Sequence, residues 1–307
     1  MPAIEIDSPS KTVTREDVFG RNGIPLRLIR IHRHSDCYPH RHEFSELVIV
    51  LRGTCIHRMP TGDYPIAAGD VFVIHGDEMH GYVNTEELDL VNVLFDLDAL
   101  GIPSVDLRSL PGFHVLFSLK PRYRVRDRFD SRLRLPPKEL RHIERLLTQL
   151  EADRDQARPG WQFSAKAHFM LVLSELSRSY THLDAPTVQP LQQLGRVLCY
   201  LERHFRNPIT LAELAHAGSM SRRTLTRTFR DAMGCSPVQY LLRVRIQHAV
   251  ELLQEDGATI SEVAAKTGFR DSNYFSRQFH KIMGHTPREI LRRTSTQGPD
   301  HLTGLTR

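Results

Sequence analysis

Residues 210–241, TLAELAHAGSMSRRTLTRTFRDAMGCSPVQYL, and residues 259–291, TISEVAAKTGFRDSNYFSRQFHKIMGHTPREIL, are two copies of one pattern. Leu211 aligns with Ile260, Leu214 with Val263 and Ala215 with Ala264. After a one-residue insertion, Leu225 aligns with Phe275, Phe229 with Phe279, Gly234 with Gly284 and Pro237 with Pro287. Two copies are too few for a solenoid, so a duplicated small domain accounts for them.

Each copy has the layout of two helices joined by a tight turn. Ala215 and Ala264 leave room for two helices to cross closely. The turns AGSMS and TGFRD carry Gly218 and Gly268. In the second helix of each copy, Leu225/Phe229 and Phe275/Phe279 stand four apart and face inward. The outward face bears Arg222, Arg223, Thr226, Arg227 and Arg230 in the first copy, and Ser272, Asn273, Ser276, Arg277 and Lys281 in the second. Arginine can bridge guanine O6 and N7, asparagine can bridge adenine N6 and N7, and hydroxyls serve base or phosphate. Between the copies, SPVQYLLRVRIQHAVELLQE reads as one long amphipathic helix. It would hold two reading heads about one DNA turn, roughly 34 Å, apart. A helical bundle with merely solvated arginines is the plainer alternative; repeat, turn and polar outer face together favour double-stranded DNA as partner.

Charge agrees. The chain of 307 residues carries a net +5, but residues 190–293 hold 16 Lys+Arg against 9 Asp+Glu, a net +7 that leaves −2 for the first 189. Only the back half is suited to a polyanion. Four scattered cysteines, with no C-x-x-C pair, argue against a zinc ribbon or disulfide framework. The start MPAIEIDSPSKTVTRED has no apolar core behind a basic tip, and no run approaches the roughly 18 apolar residues of a membrane span. A cytoplasmic protein without a membrane partner is the expectation.

From about Ile24 to Leu97, short apolar or alternating runs broken by Gly and polar turns predict strands: PLRLIRIHRH, ELVIVLRG, TCIHRMP, YPIAAGDVFVIHGDE and LDLVNVLFDL. Their roughly ten-residue spacing predicts an all-β sandwich or jelly roll over residues 1–100. Residues 101–189 read as connector: an irregular stretch to 135, a helix starting near Pro136 and Pro137, a second helix from Trp161 to about Tyr180, and a linker, HLDAPTVQP. These helices, leucine-rich at helical spacing, suit core packing or dimer contact. The helical region spans 190–293, with its two helix-turn-helix motifs at 210–230 and 259–281, and a tail at 294–307 is expected to be disordered.

The duplicated segment closely resembles the AraC/XylS transcription regulators over residues 191–293. That resemblance implies base contacts from Arg223, Thr226 and Arg227 in the first reading helix, and from Ser272, Asn273, Ser276 and Arg277 in the second. It also implies a homodimer, activation more than repression, and RNA polymerase as a partner.

In the front half, PHRHEFSELVIVLRG sets out His40, His42, Glu46 and Gly53 with the spacing of the first cupin motif, and GDVFVIHGDEMHGYVN supplies Gly69, His80 and Asn84 for the second. The resemblance implies a cupin, RmlC-like sensor in which His40, His42, Glu46 and His80 converge inside a barrel. The front half is similar to the rhamnose-responsive branch of the family. Three imidazoles and a carboxylate suit a divalent transition metal, hydrogen bonding to a sugar effector, or a purely structural role. Tyr38, Phe44, Tyr64, Phe72 and Tyr82 offer either a sugar-stacking face or plain core. A metal-dependent cupin enzyme fused to a DNA-binding module, and a cupin that is only a dimerisation scaffold, are the alternatives. The reading adopted is an α+β multidomain regulator, not an enzyme: a β jelly roll, connector helices and an all-α double helix-turn-helix domain. It needs no cofactor to bind DNA.

Overall fold

The computed structural model describes residues 11–21, 23–102, 106–119, 132–181, 189–254 and 257–296. The linker residues 182–188 and the tail residues 297–307 lie outside the described residues. The chain divides into two compact units after Gln192.

The first unit is built on eight strands: β1 (Thr12–Val13), β2 (Leu26–Ile31), β3 (Cys37–His42), β4 (Ser45–Met59), β5 (Gly62–Ala67), β6 (Asp70–Ile74), β7 (His80–Phe95) and β8 (Leu133–Arg134). They form one sheet in the order β1-β3-β7-β4-β6-β8, with β2 also beside β7 and β5 beside β4. The apolar run Leu47–Val50 is wholly buried, as a strand covered on both faces requires. Val48, Val50, Phe72, Ile74, Tyr82, Leu88 and Leu90 share one core cluster. Phe95 instead meets Phe169 of a connector helix, ring centroids 5.1 Å apart. Each such side chain contributes about 1.5–3 kcal/mol by leaving water.

The sequence pattern predicts a strand ending at Gly53 and another beginning after it. The structure fuses them into the 15-residue β4, and the 16-residue β7 bends beside it. Register shifts fall between Val50 and Ile56 of β4. Gly53 has φ +77°, and a Cβ there would lie 2.3 Å from the Glu87 carbonyl oxygen. Glycine is therefore what allows the two backbones to cross, and the bulges add the twist.

The expected closed jelly roll, the cupin or RmlC-like barrel, is not what forms. Among the described residues the sheet is open: the strand path ends at β1 on one side and β8 on the other, and these do not pair. Closure needs strands long enough to meet with matched tilt and stagger; both end strands are two residues long. Strand β8 is instead anchored to β6 by charge. Buried Asp70 accepts hydrogen bonds from Arg134 Nε and Nη2 at 2.7 and 3.0 Å, and Arg132 Nε stands 2.9 Å from it.

Two helices follow, Pro137–Gln156 and Trp161–Thr181. The first starts with proline at a position whose N–H would lack a helical partner anyway. It buries Ile143, Leu147 and Leu150, and the second buries Phe169, Leu173 and Leu176. A short helical stretch at 107–118 presses on the second helix: a Cβ on Gly112 would lie 2.1 Å from the Ser177 carbonyl oxygen.

The second unit is helical throughout the described residues. After Gln189–His204 come Leu211–Ala217 and Arg222–Met233, then the linking helix Pro237–Leu252, then Ile260–Lys266, Ser272–Met283 and Pro287–Thr296. The starts are written locally. Thr210 and Glu213 form a reciprocal capping box, and Ser221, Thr259 and Asp271 each accept a backbone N–H at a helix start. Leu225, Phe229, Phe275 and Phe279 are fully buried. The two turns differ in one respect. Gly268 takes φ +84°, whereas Gly218 keeps an ordinary φ of −85° and Ser219, at φ 51°, makes the left-handed bend.

Candidate functional site

The two reading helices present the polar faces that their periodicity predicts. Ser221 and Asp271 fix the N-termini, and Leu225/Phe229 and Phe275/Phe279 fix the inward faces. Arg222, Arg223, Thr226, Arg227 and Arg230 are consequently exposed, as are Asn273, Arg277 and Lys281; Ser272 and Ser276 are half-buried. Thr226 donates its hydroxyl hydrogen to the Arg222 carbonyl at 2.9 Å, and Ser276 donates to the Ser272 carbonyl at 2.8 Å. Toward an outside partner these two oxygens are therefore acceptors, suited to base amino groups. Tyr274, 41% exposed on the second helix, is an additional large side chain that apolar patterning assigned to no role.

In the other unit, a cavity of about 560 Å³ opens on the inner side of β3, β4 and β7. His40, His42, Glu46 and His80 all line it. Strand parity explains the grouping: His40 and His42 are two apart on β3 and so face one way, and His40 stands opposite His80 in the β3–β7 register. His40, Glu46 and His80 each bring a ligand atom within 4.8 Å of the others, a set able to hold a divalent metal ion. His42 is outside that triad and meets Glu46, its Nε2 3.1 Å from Oε2; His80 Nε2 is 3.6 Å from the same oxygen.

Hydrogen bonds orient all three imidazoles. Nδ1 of His40 faces the Tyr38 carbonyl at 3.1 Å, that of His80 the Glu78 carbonyl at 3.1 Å, and that of His42 the Phe44 carbonyl at 2.5 Å. A carbonyl only accepts, so each Nδ1 carries the hydrogen and each Nε2 is left facing the cavity, where it can ligate a metal or, from His42 and His80, share a hydrogen with the Glu46 carboxylate. This backbone support is what metal-ligating histidines use. Burial works to raise the Glu46 carboxyl, but the adjoining His42 and His80 imidazoles outweigh it and hold it below the ordinary carboxylate range. Burial, reinforced by the neighbouring His80, lowers His40 to about 4.

Three buried residues of the sheet were not singled out by motif spacing, and two of them line the cavity. His57 is fully buried with its ring 5.9 Å from that of His80, and burial brings it down to about 3. Tyr82 Oη and Asn92 Oδ1 are buried without a hydrogen-bond partner, and both side chains line the cavity. The sequence holds signals for two of them. Tyr82 follows His80 by two on one strand, and Asn92 is a lone polar residue in the apolar run LVNVLF. Of the proposed stacking aromatics, Phe44 and Tyr82 reach the cavity, Tyr64 and Phe72 belong to the core, and Tyr38 is exposed. Asn84, the last residue of the second motif, does not line the cavity and sits in a left-handed bend, its N–H donating to Asp36.

Comparison with known proteins joins the two sites. The sequence model of a helix-turn-helix domain matches residues 214–293, and that of an AraC-like ligand binding domain matches residues 25–173. The HTH-type transcriptional activator RhaR of Shigella dysenteriae serotype 1 (strain Sd197) is 32% identical over 260 residues, spanning 82% of this chain and 88% of that protein. RhaR of Escherichia coli (strain K12) is 31% identical over the same length. The chain belongs to the AraC/XylS family of transcription regulators. As a member it is a sequence-specific, DNA-binding transcriptional activator under effector control, and not an enzyme. The ligand-binding match covers strands β2 to β8 of the regulator and its connector helices up to residue 173. Among the described residues, no helix of the regulator is long and apolar enough to cross a membrane.

Proposed function

We propose that this regulator binds a small polar effector, a sugar or sugar derivative, in the 560 Å³ cavity and thereby changes how strongly it activates transcription from its DNA site. The supporting observation is the cavity itself: it has the size of a small-molecule pocket, and its buried Tyr82 hydroxyl and Asn92 carbonyl have no partner among the described residues. A hydroxyl-rich ligand would supply one acceptor and one donor. The effector acts by binding one conformational state better than the other. Residues 1–100 would form the sensor, 101–189 the connector and 190–293 the DNA-binding region. Arg222, Arg223, Thr226, Arg227 and Arg230, with Ser272, Asn273, Ser276, Arg277 and Lys281, would meet the DNA.

The protein would work in the cytoplasm as a homodimer that contacts RNA polymerase. On the helix Trp161–Thr181, Phe163 (80% exposed) and Leu171 (48% exposed) share a stripe with Ala167 and Met170, the kind of apolar face a dimer covers. A second reading gives the cavity a divalent metal ion held by His40, Glu46 and His80 with His42 beside them; the backbone-oriented imidazoles favour it.

The test is binding of the full-length protein to duplexes selected from a random library, with and without each member of a monosaccharide panel. A sugar that shifts DNA affinity in wild type but not in Tyr82→Phe or Asn92→Leu supports the effector reading. No shift with any sugar, together with one ion per chain by elemental analysis that is lost in His40→Ala/His42→Ala, would select the metal reading.

A further inference from the structure

Two reading heads recognise one composite DNA site only if the angle and distance between them are fixed, because each base pair adds about 3.4 Å of rise and a rotation of roughly 35°. The linking helix Pro237–Leu252 is about 24 Å long at 1.5 Å per residue. Its two ends are embedded in different modules. At the front, Tyr240 packs edge-on against Phe229 with centroids 5.7 Å apart, and its hydroxyl donates to Glu202 at 3.1 Å. At the back, Ile246, Ala249 and Leu253 enter the core of the second module beside Val263, Phe269 and Phe275. A single shared helix still permits the modules to roll against each other about its axis.

A second set of contacts opposes that roll, and it converges on Phe205, Arg206 and Asn207, just beyond the helix Gln189–His204. Arg245, midway along the linking helix, donates from Nε to the Phe205 carbonyl at 2.7 Å and from Nη2 to the Asn207 carbonyl at 2.9 Å. Its guanidinium carbon also lies 5.6 Å from the ring centroid of Phe269, the residue after the second turn's glycine. One helical turn further, His248 stacks on Phe205 with centroids 4.1 Å apart and planes 10° apart. From the other side, Gly268 presses on the same segment: a Cβ there would come 2.6 Å from the Arg206 carbonyl oxygen. In the first copy Gly218, at the helix end where the second copy has Thr267, abuts Val197 of the helix Gln189–His204, where a Cβ would come 2.7 Å from that side chain. Both turns are thus seated on one spine, residues 189–207.

We propose that Arg245 and Gly268 are specificity-determining positioning residues: they lock the two reading helices in one phase, and so set the base-pair spacing of the composite DNA site, without contacting a base themselves. Arginine suits the role because its planar fork spans two carbonyls that a lysine could only bond one at a time. Glycine suits the other because any side chain would force the turn away from the spine.

The test uses full-length protein and duplexes it selects from a random library, rebuilt with one base pair inserted or deleted between the two subsites. Wild type should bind the respaced duplexes about 10-fold or more weakly than the selected one, since one module then misses its bases. Arg245→Ala and Gly268→Ala should shrink that spacing penalty several-fold, and Arg245→Lys should fall between. Arg277→Ala should weaken selected and respaced duplexes while leaving Arg245-dependent spacing discrimination in place. Should Arg245→Ala not fold, His248→Ala, which removes the stack and leaves the fork, supplies the same reading. A spacing penalty in soluble, folded variants equal to that of wild type overturns the proposal, as does a selected site with only one subsite.

Discussion

The two halves of this regulator use charged and polar side chains on opposite sides of the solvent boundary. In the DNA-reading unit, Arg223, Arg227 and Arg277 stand in water on helices whose inward faces are wholly apolar. In the sheet unit, His42, Glu46 and His80 are buried around a cavity. The difference follows from the partner. A polyanion brings its own high charge and is met by exposed cations that exchange for salt ions. A small ligand must replace water group by group, so its receptor holds desolvated donors and acceptors in place beforehand. Mutations should therefore cost stability in one half and affinity in the other.

The largest effect expected is in the sheet unit. Asp70→Ala removes a buried carboxylate that pairs Arg132 and the half-exposed Arg134 and accepts the Ala67 N–H, and should destabilise that unit by about 3 kcal/mol. Trp161, the chain's single tryptophan, lies in this unit, so its fluorescence in a urea titration reads the loss directly. A change below 1 kcal/mol would show that the β6–β8 anchor contributes little.

Acid should separate the halves next. His57 and His114 are fully buried, and burial lowers each from the ordinary histidine range to about 3. A histidine with a depressed folded value binds protons more readily unfolded. The stability it confers is thus present above about pH 6.5 and lost progressively as pH falls from there toward 3. Glu46, held below its ordinary range, has the same sign at lower pH. The Trp161 signal should accordingly collapse in mild acid, and His57→Gln should flatten its pH dependence. A profile unchanged by that substitution would contradict the assignment.

Arg227→Ala and Arg277→Ala should cost about 1–3 kcal/mol of specific DNA affinity with no loss of stability, if each reads a base. Equal loss on random duplex, with a salt slope reduced by about 1, would make them phosphate contacts instead. The smallest effect belongs to the caps. Ser221→Ala and Asp271→Ala should each destabilise the helical unit by about 0.5–2 kcal/mol. A cost confined to DNA affinity would show that these residues serve the interface and not the helix start.

The helical half was legible because its information is local. Period, cap and turn residue all act within about one helical turn, and duplication states the pattern twice. Even there, it was not readable that Ser219 makes the left-handed bend while Gly218 serves the close approach to Val197. In the sheet half, the resemblance named His40, His42, Glu46 and His80, parity put His40 and His42 on one face, and the pairing of β3, β4 and β7 brought all four to one cavity. Whether the sheet closes was not legible, because closure depends on how remote strands pair.

The sequence alone thus determined most strand and helix segments and the outward residues of both reading helices, since periods of 3.6 and 2 dictate which side chains share a face. Only the tertiary structure decided that the sheet stays open and that β4 and β7 bend at Gly53. It alone added Asn92 to the cavity, seated the stacking candidate Tyr82 there, buried His57 near His80 and brought Arg245 and Gly268 onto the 205–207 segment. Each of these depends on backbones distant in sequence meeting at a few ångströms, and no local pattern encodes such a distance.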